Sequence, residues 1–285
     1  LGLWFAPDSA DDFVNWKKDV EVIRTLAEKH GARHIKLDGV VLRTEECEKN
    51  YLAMLDAIRE LRCPGGEPLR FNLDITNDER LGYFCGIPYG TLFVENRYTD
   101  WKNYYPHRTM RNLWQLSRYL PASKFQFEVL NPRRNTELYG DDPLAPANYD
   151  IDWCFASVMA ANPLIWMEMQ HLSEKDTDDL RRIIAVYREH RDAMAEMTVD
   201  PIGDLPDGVQ WSGFLWTGTG CGYVTLFRGI TDEDVHTIRL PEPVRGMRWT
   251  VLHGNAAAEI SNTDDGIRVS LGKKRSYVFL RFDRI

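Results

Sequence analysis

The regular alternation of two kinds of apolar run across the first two thirds of the chain limits its fold most. Short runs at Leu1–Phe5, His34–Leu37, Leu69–Leu73, Thr91–Val94, Lys124–Val129 and Leu164–Met167 read as strands. Longer segments at Asp11–His30, Glu45–Leu61, Pro106–Tyr119, Tyr149–Ala161 and Ser173–Met197 carry apolar residues at helical spacing. Phe13, Trp16, Val20, Ile23 and Ala27 form one such stripe, closed by Gly31. Leu52, Leu55, Ile58 and Leu61 form another, stopped by Pro64-Gly65-Gly66. Strands that alternate with helices predict a parallel sheet covered by helices.

Two α/β architectures meet that pattern. One is a (β/α)8 TIM barrel whose first strands precede residue 1. The other is an open doubly wound sheet. The second lacks its usual glycine-rich phosphate turn, because Gly218-x-Gly220-x-Gly222 lies in a strand-rich tail and opens no helix. In the barrel, chemistry sits at the C-terminal ends of the strands. The chain opens on an apolar strand with no initiator Met, which suggests a start cut from a longer protein.

Past Asp200-Pro201 the texture changes. Gly, Pro and Asp separate short runs at Val209–Trp216, Gly222–Arg228, His236–Leu240, Arg248–Leu252, Gly266–Leu271 and Ser276–Phe282. Alternation such as Ile267-Arg-Val-Ser-Leu271 predicts an antiparallel β-sandwich. The expected division is a partial barrel over residues 1–200 and a C-terminal sandwich over 205–285.

A net charge of −8 argues against nucleic acid as the main partner and favours a small or neutral ligand. Five cysteines, none in CxxC spacing, give no disulfide framework or zinc site and favour a reducing, cytoplasm-like compartment. The seven histidines show no HxH or HExxH arrangement, so no metal is expected. No apolar stretch is long enough to span a membrane. Self-association as a homo-oligomer is left open.

His34-Ile-Lys-Leu-Asp38 is the segment richest in chemistry. It is a strand that delivers an acid to its C-terminal end. Strand periodicity points Lys36 and Asp38 the same way. A neighbouring ammonium favours an ionised carboxylate, as a nucleophile needs. A structural ion pair inside a barrel explains the same two residues equally well. Further acids close later strands: Asp74, Glu95 and Asp100. A retaining glycosidase needs two carboxyl groups roughly 5–5.5 Å apart, one as nucleophile and one as acid/base. Asp38 with Glu95 or Asp100, two strands on, meets that requirement; for each acid singly, a loop cap or a surface charge is the commoner role. Trp4, Lys36, Asp74, Asn77, Arg80, Arg97 and Trp101 are the candidate substrate contacts.

These segments resemble a known family. Leu3-Trp-Phe-Ala-Pro7 is similar to the Gly-Leu-Trp-Phe-Glu-Pro segment of bacterial α-galactosidases of glycoside hydrolase family 36. His34-Ile-Lys-Leu-Asp38 resembles their Tyr-Ile-Lys-Trp-Asp strand, whose Asp is the nucleophile. Phe93-Val-Glu-Asn96 followed by Thr99-Asp100 resembles a divergent form of their Trp-Thr-Ser-Asp-Asn-Thr-Asp segment, which holds the acid/base. Trp211-Ser-Gly-Phe214 with Gly222–Arg228 resembles their C-terminal β-sandwich. Family 27 is a more distant likeness. The resemblance implies a retaining, α-galactosidase-like hydrolase, an oligosaccharide or glycoside substrate and no cofactor. It implies Asp38 as nucleophile and Glu95, or else Asp100, as acid/base. Asn72–Asp78 replaces the family's glycine-rich, Cys-containing loop, so sugar preference is open. A catalytically idle carbohydrate-binding relative and a transglycosylase using the same residues are the alternatives.

Overall fold

The computed structural model describes residues 1–76, 79–95, 98–240 and 247–283. It is an α/β chain with a parallel-stranded sheet followed by antiparallel sheets. Six strands, β1 (Gly2–Phe5), β2 (His34–Leu37), β3 (Arg70–Asp74), β4 (Thr91–Glu95), β5 (Phe125–Val129) and β6 (Asn162–Ile165), form one sheet in that order. Pairings β1–β2, β2–β3 and β3–β4 are parallel, as the alternation predicts. Eight strands, which a complete (β/α)8 barrel needs, are not present in this sheet among the described residues. The helices are α1 (Trp16–His30), α2 (Glu45–Arg59), α3 (Tyr83–Gly86), α4 (Pro106–Leu116), α5 (Ile151–Ala156) and α6 (Glu174–Ala195). Among the described residues no helix is long and apolar enough to cross a membrane.

Residues 1–96 with 124–126 form one compact unit, and residues 97–123 with 127–285 form a second. In the first unit α1 buries Val20, Ile23 and Ala27, and Gly31 ends it in the left-handed conformation at φ 68°. This helix starts later than its apolar spacing predicts. Asp11, Asp12 and Phe13 all have positive φ, which breaks the helical path before Trp16. The fully buried Phe13 instead packs on Tyr51 of α2, ring centroids 5.6 Å apart. Helix α2 is opened by the Thr44 hydroxyl, which accepts the Cys47 N–H at 3.0 Å.

In the second unit α6 opens with a capping box. Ser173 Oγ accepts the Asp176 N–H, and Asp176 accepts the Ser173 N–H. Arg133 reaches the same carboxylate from the β5 side at 2.7 Å and holds it down to a pKa of about 2 against the cost of burial.

Among the described residues the antiparallel part has eight strands: β7 (Thr198–Gly203), β8 (Trp211–Thr217), β9 (Cys221–Arg228), β10 (Val235–Arg239), β11 (Arg248–Gly254), β12 (Ala258–Asn262), β13 (Gly266–Leu271) and β14 (Ser276–Asp283). They form a five-stranded sheet ordered β11-β14-β9-β8-β7 and a three-stranded sheet ordered β10-β13-β12. One core joins the two, with Leu215, Val224, Leu226, Val278 and Leu280 from one sheet and Ile238, Ile267, Val269 and Leu271 from the other. Two strands, β7 and β12, escape the sequence reading. Asp200 and Pro201 lie within β7 and break its apolar pattern, and β12 is mostly exposed.

The central strands of the five-stranded sheet, β14, β9 and β8, are buried on both faces, so they do not alternate apolar with polar. Phe214, Trp216, Tyr223, Phe227, Tyr277 and Phe279 lie on the face away from that core. This aromatic face meets α5 and α6: Trp153 packs on Phe227 at 5.0 Å and His190 on Tyr223 at 5.4 Å. Each such ring pair adds about 0.5–1.5 kcal/mol beyond its area.

A polar chain crosses that layer. The Tyr277 hydroxyl donates to Asp152 at 3.2 Å, and its oxygen lies 2.7 Å from His253 Nδ1. Burial first, then the Asp150 and Asp179 charges, push Asp152 from 3.8 up to about 6. A carboxyl raised in the folded state gives stability that is present below its unfolded pKa and lost as pH rises through about 6. At neutral pH the charge costs roughly 3 kcal/mol. Asp152→Asn removes that cost and gives up one hydrogen bond of about 1 kcal/mol. It should therefore stabilise the chain by about 1–2 kcal/mol at neutral pH, with the gain fading toward acid. Thermal midpoints across pH check this, and an equal gain at every pH would disprove the assignment.

Candidate active site

The register of the parallel sheet decides which side chains share a face. Trp4 pairs with Lys36, Lys36 with Asn72, Asn72 with Thr91 and Asp74 with Phe93. Paired residues of parallel neighbours point to the same side, and residues two apart on a strand do so too. Trp4, Lys36, Asp38, Asn72, Asp74, Phe93 and Glu95 therefore occupy one face. Asp38, Asp74 and Glu95 stand at its C-terminal edge, where open and closed α/β sheets place their chemistry. All belong to the first unit.

Lys36 is the centre of this face. Its ammonium lies 4.2 Å from the centroid of Trp4 and 4.2 Å from that of Phe93. Two ring faces offset part of the cost of burying it, each by up to about 2 kcal/mol when desolvated. Its Nζ is 4.0 Å from Asp74 Oδ2. That separation gives a charge contact but no hydrogen bond. Asp74 Oδ1 accepts the Thr76 N–H at 3.0 Å, so the loop after β3 fixes its orientation. Behind Lys36, Asn72 Nδ2 donates to Gln126 Oε1 at 2.9 Å.

Asp38 is half-buried, and its backbone N–H continues the β1–β2 ladder to the Phe5 carbonyl at 2.9 Å. Its pKa is raised. Burial is the main cause, a side-chain hydrogen bond with Asp74 comes next, and the Asp74 charge adds to both; Lys36 pulls the other way and loses. Lys36 favours the ionised form of Asp38, as its spacing predicts, and burial together with Asp74 outweighs it. A hydrogen bond between two carboxyl groups needs a proton on one of them.

Glu95 is the last residue of β4 and is 7% exposed. Burial and the nearby Glu95 charge push the Tyr83 phenol of α3 above its ordinary value. The Arg80 and Asp74 charges both reach the buried Tyr51 phenol of α2. Asn77 and Arg97 lie outside the described residues. Asp100 and Trp101 belong to the second unit, in a turn at Thr99–Trp101 where both are exposed. Sequence reasoning missed Phe93 and Tyr83. Strand parity with Glu95 marks Phe93; no local signal marks Tyr83.

Compared with solved structures, a variant of the family 36 α-galactosidase AgaA from Geobacillus stearothermophilus aligns with a TM-score of 0.64 at 14% identity. The alignment covers 97% of this chain and 39% of that one. The galactosidase domain of the α-galactosidase–sucrose kinase AgaSK gives 0.60 at 14%, covering 89% and 35%. The fold is that of family 36 α-galactosidases. It is shared with the α-amylase of H. orenii, at 0.59 and 9% identity over 97% of this chain and 65% of that one. This chain thus spans about two fifths of the length of the AgaA α-galactosidase. No protein-family model and no curated protein matches it.

Proposed function

We propose that this chain carries the acid cluster of a retaining glycoside hydrolase that acts on α-linked sugars, with α-galactosides the favoured class. Its six parallel strands are then part of a (β/α)8 barrel. The observation that carries the reading is the meeting of Lys36, Asp38, Asp74 and Glu95 at the C-terminal edge of one sheet face, in a fold shared with α-galactosidases and α-amylases.

In the first step the Asp38 carboxylate forms a bond to the anomeric carbon as the glycosidic C–O bond breaks. Glu95 gives its proton to the leaving oxygen. In the second step Glu95 takes a proton from water, the water oxygen bonds to the anomeric carbon, and Asp38 leaves. Glu95 is preferred to Asp100 because it closes β4 on the face that carries Asp38 and Asp74, as the acid of the resembled family closes its strand. Lys36 and Asp74 bind sugar hydroxyls, and Trp4 closes the outer side of Lys36. Arg80 is a further candidate sugar contact. Asn77, Arg97 and Trp101 keep their roles as candidate sugar contacts.

Trapping with a 2-fluoro-glycosyl fluoride and peptide mapping is the direct test. Label on Asp38 is the expected result; label elsewhere, or a product of inverted configuration, sinks the assignment. A second reading, a carbohydrate-binding relative without turnover, is favoured by the divergence of Phe93–Asp100 from the acid/base segment of the family it resembles. It requires that no glycoside, activated or natural, be cleaved.

A further inference from the structure

Three titratable side chains of the second unit stand in line, and the proposed hydrolysis uses none of them. Asp152, in the first turn of α5, is buried. Tyr277 of β14 is fully buried, and its hydroxyl lies 3.2 Å from Asp152 Oδ2 and 2.7 Å from His253 Nδ1. His253 of β11 is half-buried, and its ring lies within 17° of the Tyr277 ring plane. Among the described residues its Nε2 has no hydrogen-bond partner. Asn255 holds Tyr277 in place, accepting its backbone N–H at 2.8 Å and donating to Asp150 at 2.9 Å.

One hydroxyl hydrogen has two neighbours to serve, because a phenol has a single O–H to give. The line can therefore run in either of two directions. An ionised Asp152 only accepts. Tyr277 then donates to it, His253 donates to Tyr277 through Nδ1–H, and the neutral imidazole leaves Nε2 bare. A protonated Asp152 carries its hydrogen on Oδ2, because Oδ1 accepts the Trp153 N–H at 3.0 Å. It then donates to Tyr277, the hydroxyl turns to His253 Nδ1, and the imidazole hydrogen sits on Nε2. Both directions keep the buried polar atoms of the line paired, as burial demands.

The surrounding charges allow both forms. Burial comes first, and Asp150 of the α5 N-cap and Asp179 of α6 add to it; together they push Asp152 up to about 6. Lys175 of α6 stands among these acids, Lys273 pairs with Asp150, and Arg182 pairs with Asp179. Burial and Arg182 hold His253 below its ordinary value, and Asp179 opposes them. That balance favours a neutral imidazole while Asp152 changes charge.

We propose that His253, Tyr277 and Asp152 form a proton wire that carries a solvent proton to the buried carboxyl and inverts the imidazole tautomer as it does so. A proton bonds to His253 Nε2. The Nδ1–H bond breaks as that hydrogen bonds to the Tyr277 oxygen, and the original Tyr277 hydrogen passes to Asp152 Oδ2. One proton has entered, and the imidazole and the phenol are again neutral. The outer end of the wire, Nε2, is an acceptor at neutral pH and a donor in mild acid. Arg182 suits the first state and Asp179 the second.

The test is nitrogen-15 NMR of the histidines in the full chain, with the His253 signals identified by a His253→Gln variant. As pH falls through about 6, His253 Nδ1 should change from protonated to bare and Nε2 from bare to protonated. His190 is an internal control. Its Nδ1 lies 3.3 Å from the Tyr223 hydroxyl, which has no carboxylate partner among the described residues, so it should not invert there. Tyr277→Phe keeps the ring and cuts the wire, and Asp152→Asn removes the group that takes the proton. In each, His253 should hold one tautomer across the same range. Circular dichroism checks folding, and either folded variant suffices. A single His253 tautomer throughout in the unmodified chain, or protonation of both ring nitrogens in place of inversion, overturns the proposal. So does an inversion that persists in a folded variant or appears in His190.

Discussion

Asp38→Asn should abolish turnover of an aryl α-galactoside, by on the order of 10⁴-fold or more, as loss of a covalent nucleophile does in other enzymes. The asparagine has almost the same shape, so the face built by Trp4, Lys36 and Phe93 stays in place. Removal of a carboxyl raised by burial and by Asp74 costs the fold little, and melting should be nearly unchanged. The deficit then resides in kcat. An external nucleophile separates this from misfolding. Azide should enter the space vacated in the smaller Asp38→Gly variant and restore part of the rate, giving a glycosyl azide of inverted configuration. Full activity in Asp38→Asn would remove Asp38 from the mechanism. Loss without azide rescue would leave a binding or positioning role.

The acid limb of kcat/KM should move in opposite directions when the two partners of Asp38 are changed. This limb reports the free enzyme, the state in which Asp38 and Asp74 are hydrogen-bonded. Asp38 must be ionised to attack, so activity rises as pH rises through its pKa. Asp74 raises that pKa through its hydrogen bond and its charge, and Lys36 lowers it. Asp74→Asn takes away the like charge and offers an amide donor, so the limb shifts to lower pH. Lys36→Met removes a favourable charge beside Asp38, so the limb shifts to higher pH. Each shift is about one unit, the size expected for a charge at contact distance. The two variants need not be equally active; only the position of the limb is compared. A limb that stays put in both would mean that a different group controls it.

Much of the scaffold was legible in the sequence, because local physics writes it there. Apolar runs of strand and helix length alternate. Gly31 allows the left-handed end of α1, and Ser173 with Asp176 caps α6. Strand parity also placed Lys36 and Asp38 on one side. The antiparallel sheets were legible in outline only. Strands β8, β9 and β14 carry aromatic residues where a one-faced sheet has polar ones, since α5 and α6 bury their second face. Nothing local distinguishes an aromatic that faces a helix from one that faces another sheet.

The sequence alone thus determined the alternating α/β frame and the presence of an acid at each of three strand ends, because both depend on spacing along one segment. Tertiary structure decided what those acids do to each other. The β2–β3 and β3–β4 registers set Asp74 beside Asp38 and Lys36, and burial in that company raises Asp38 where Lys36 alone would lower it. Strand pairing and desolvation arise only when distant segments meet, so a lysine two residues from an aspartate could announce the site but could not fix its charge.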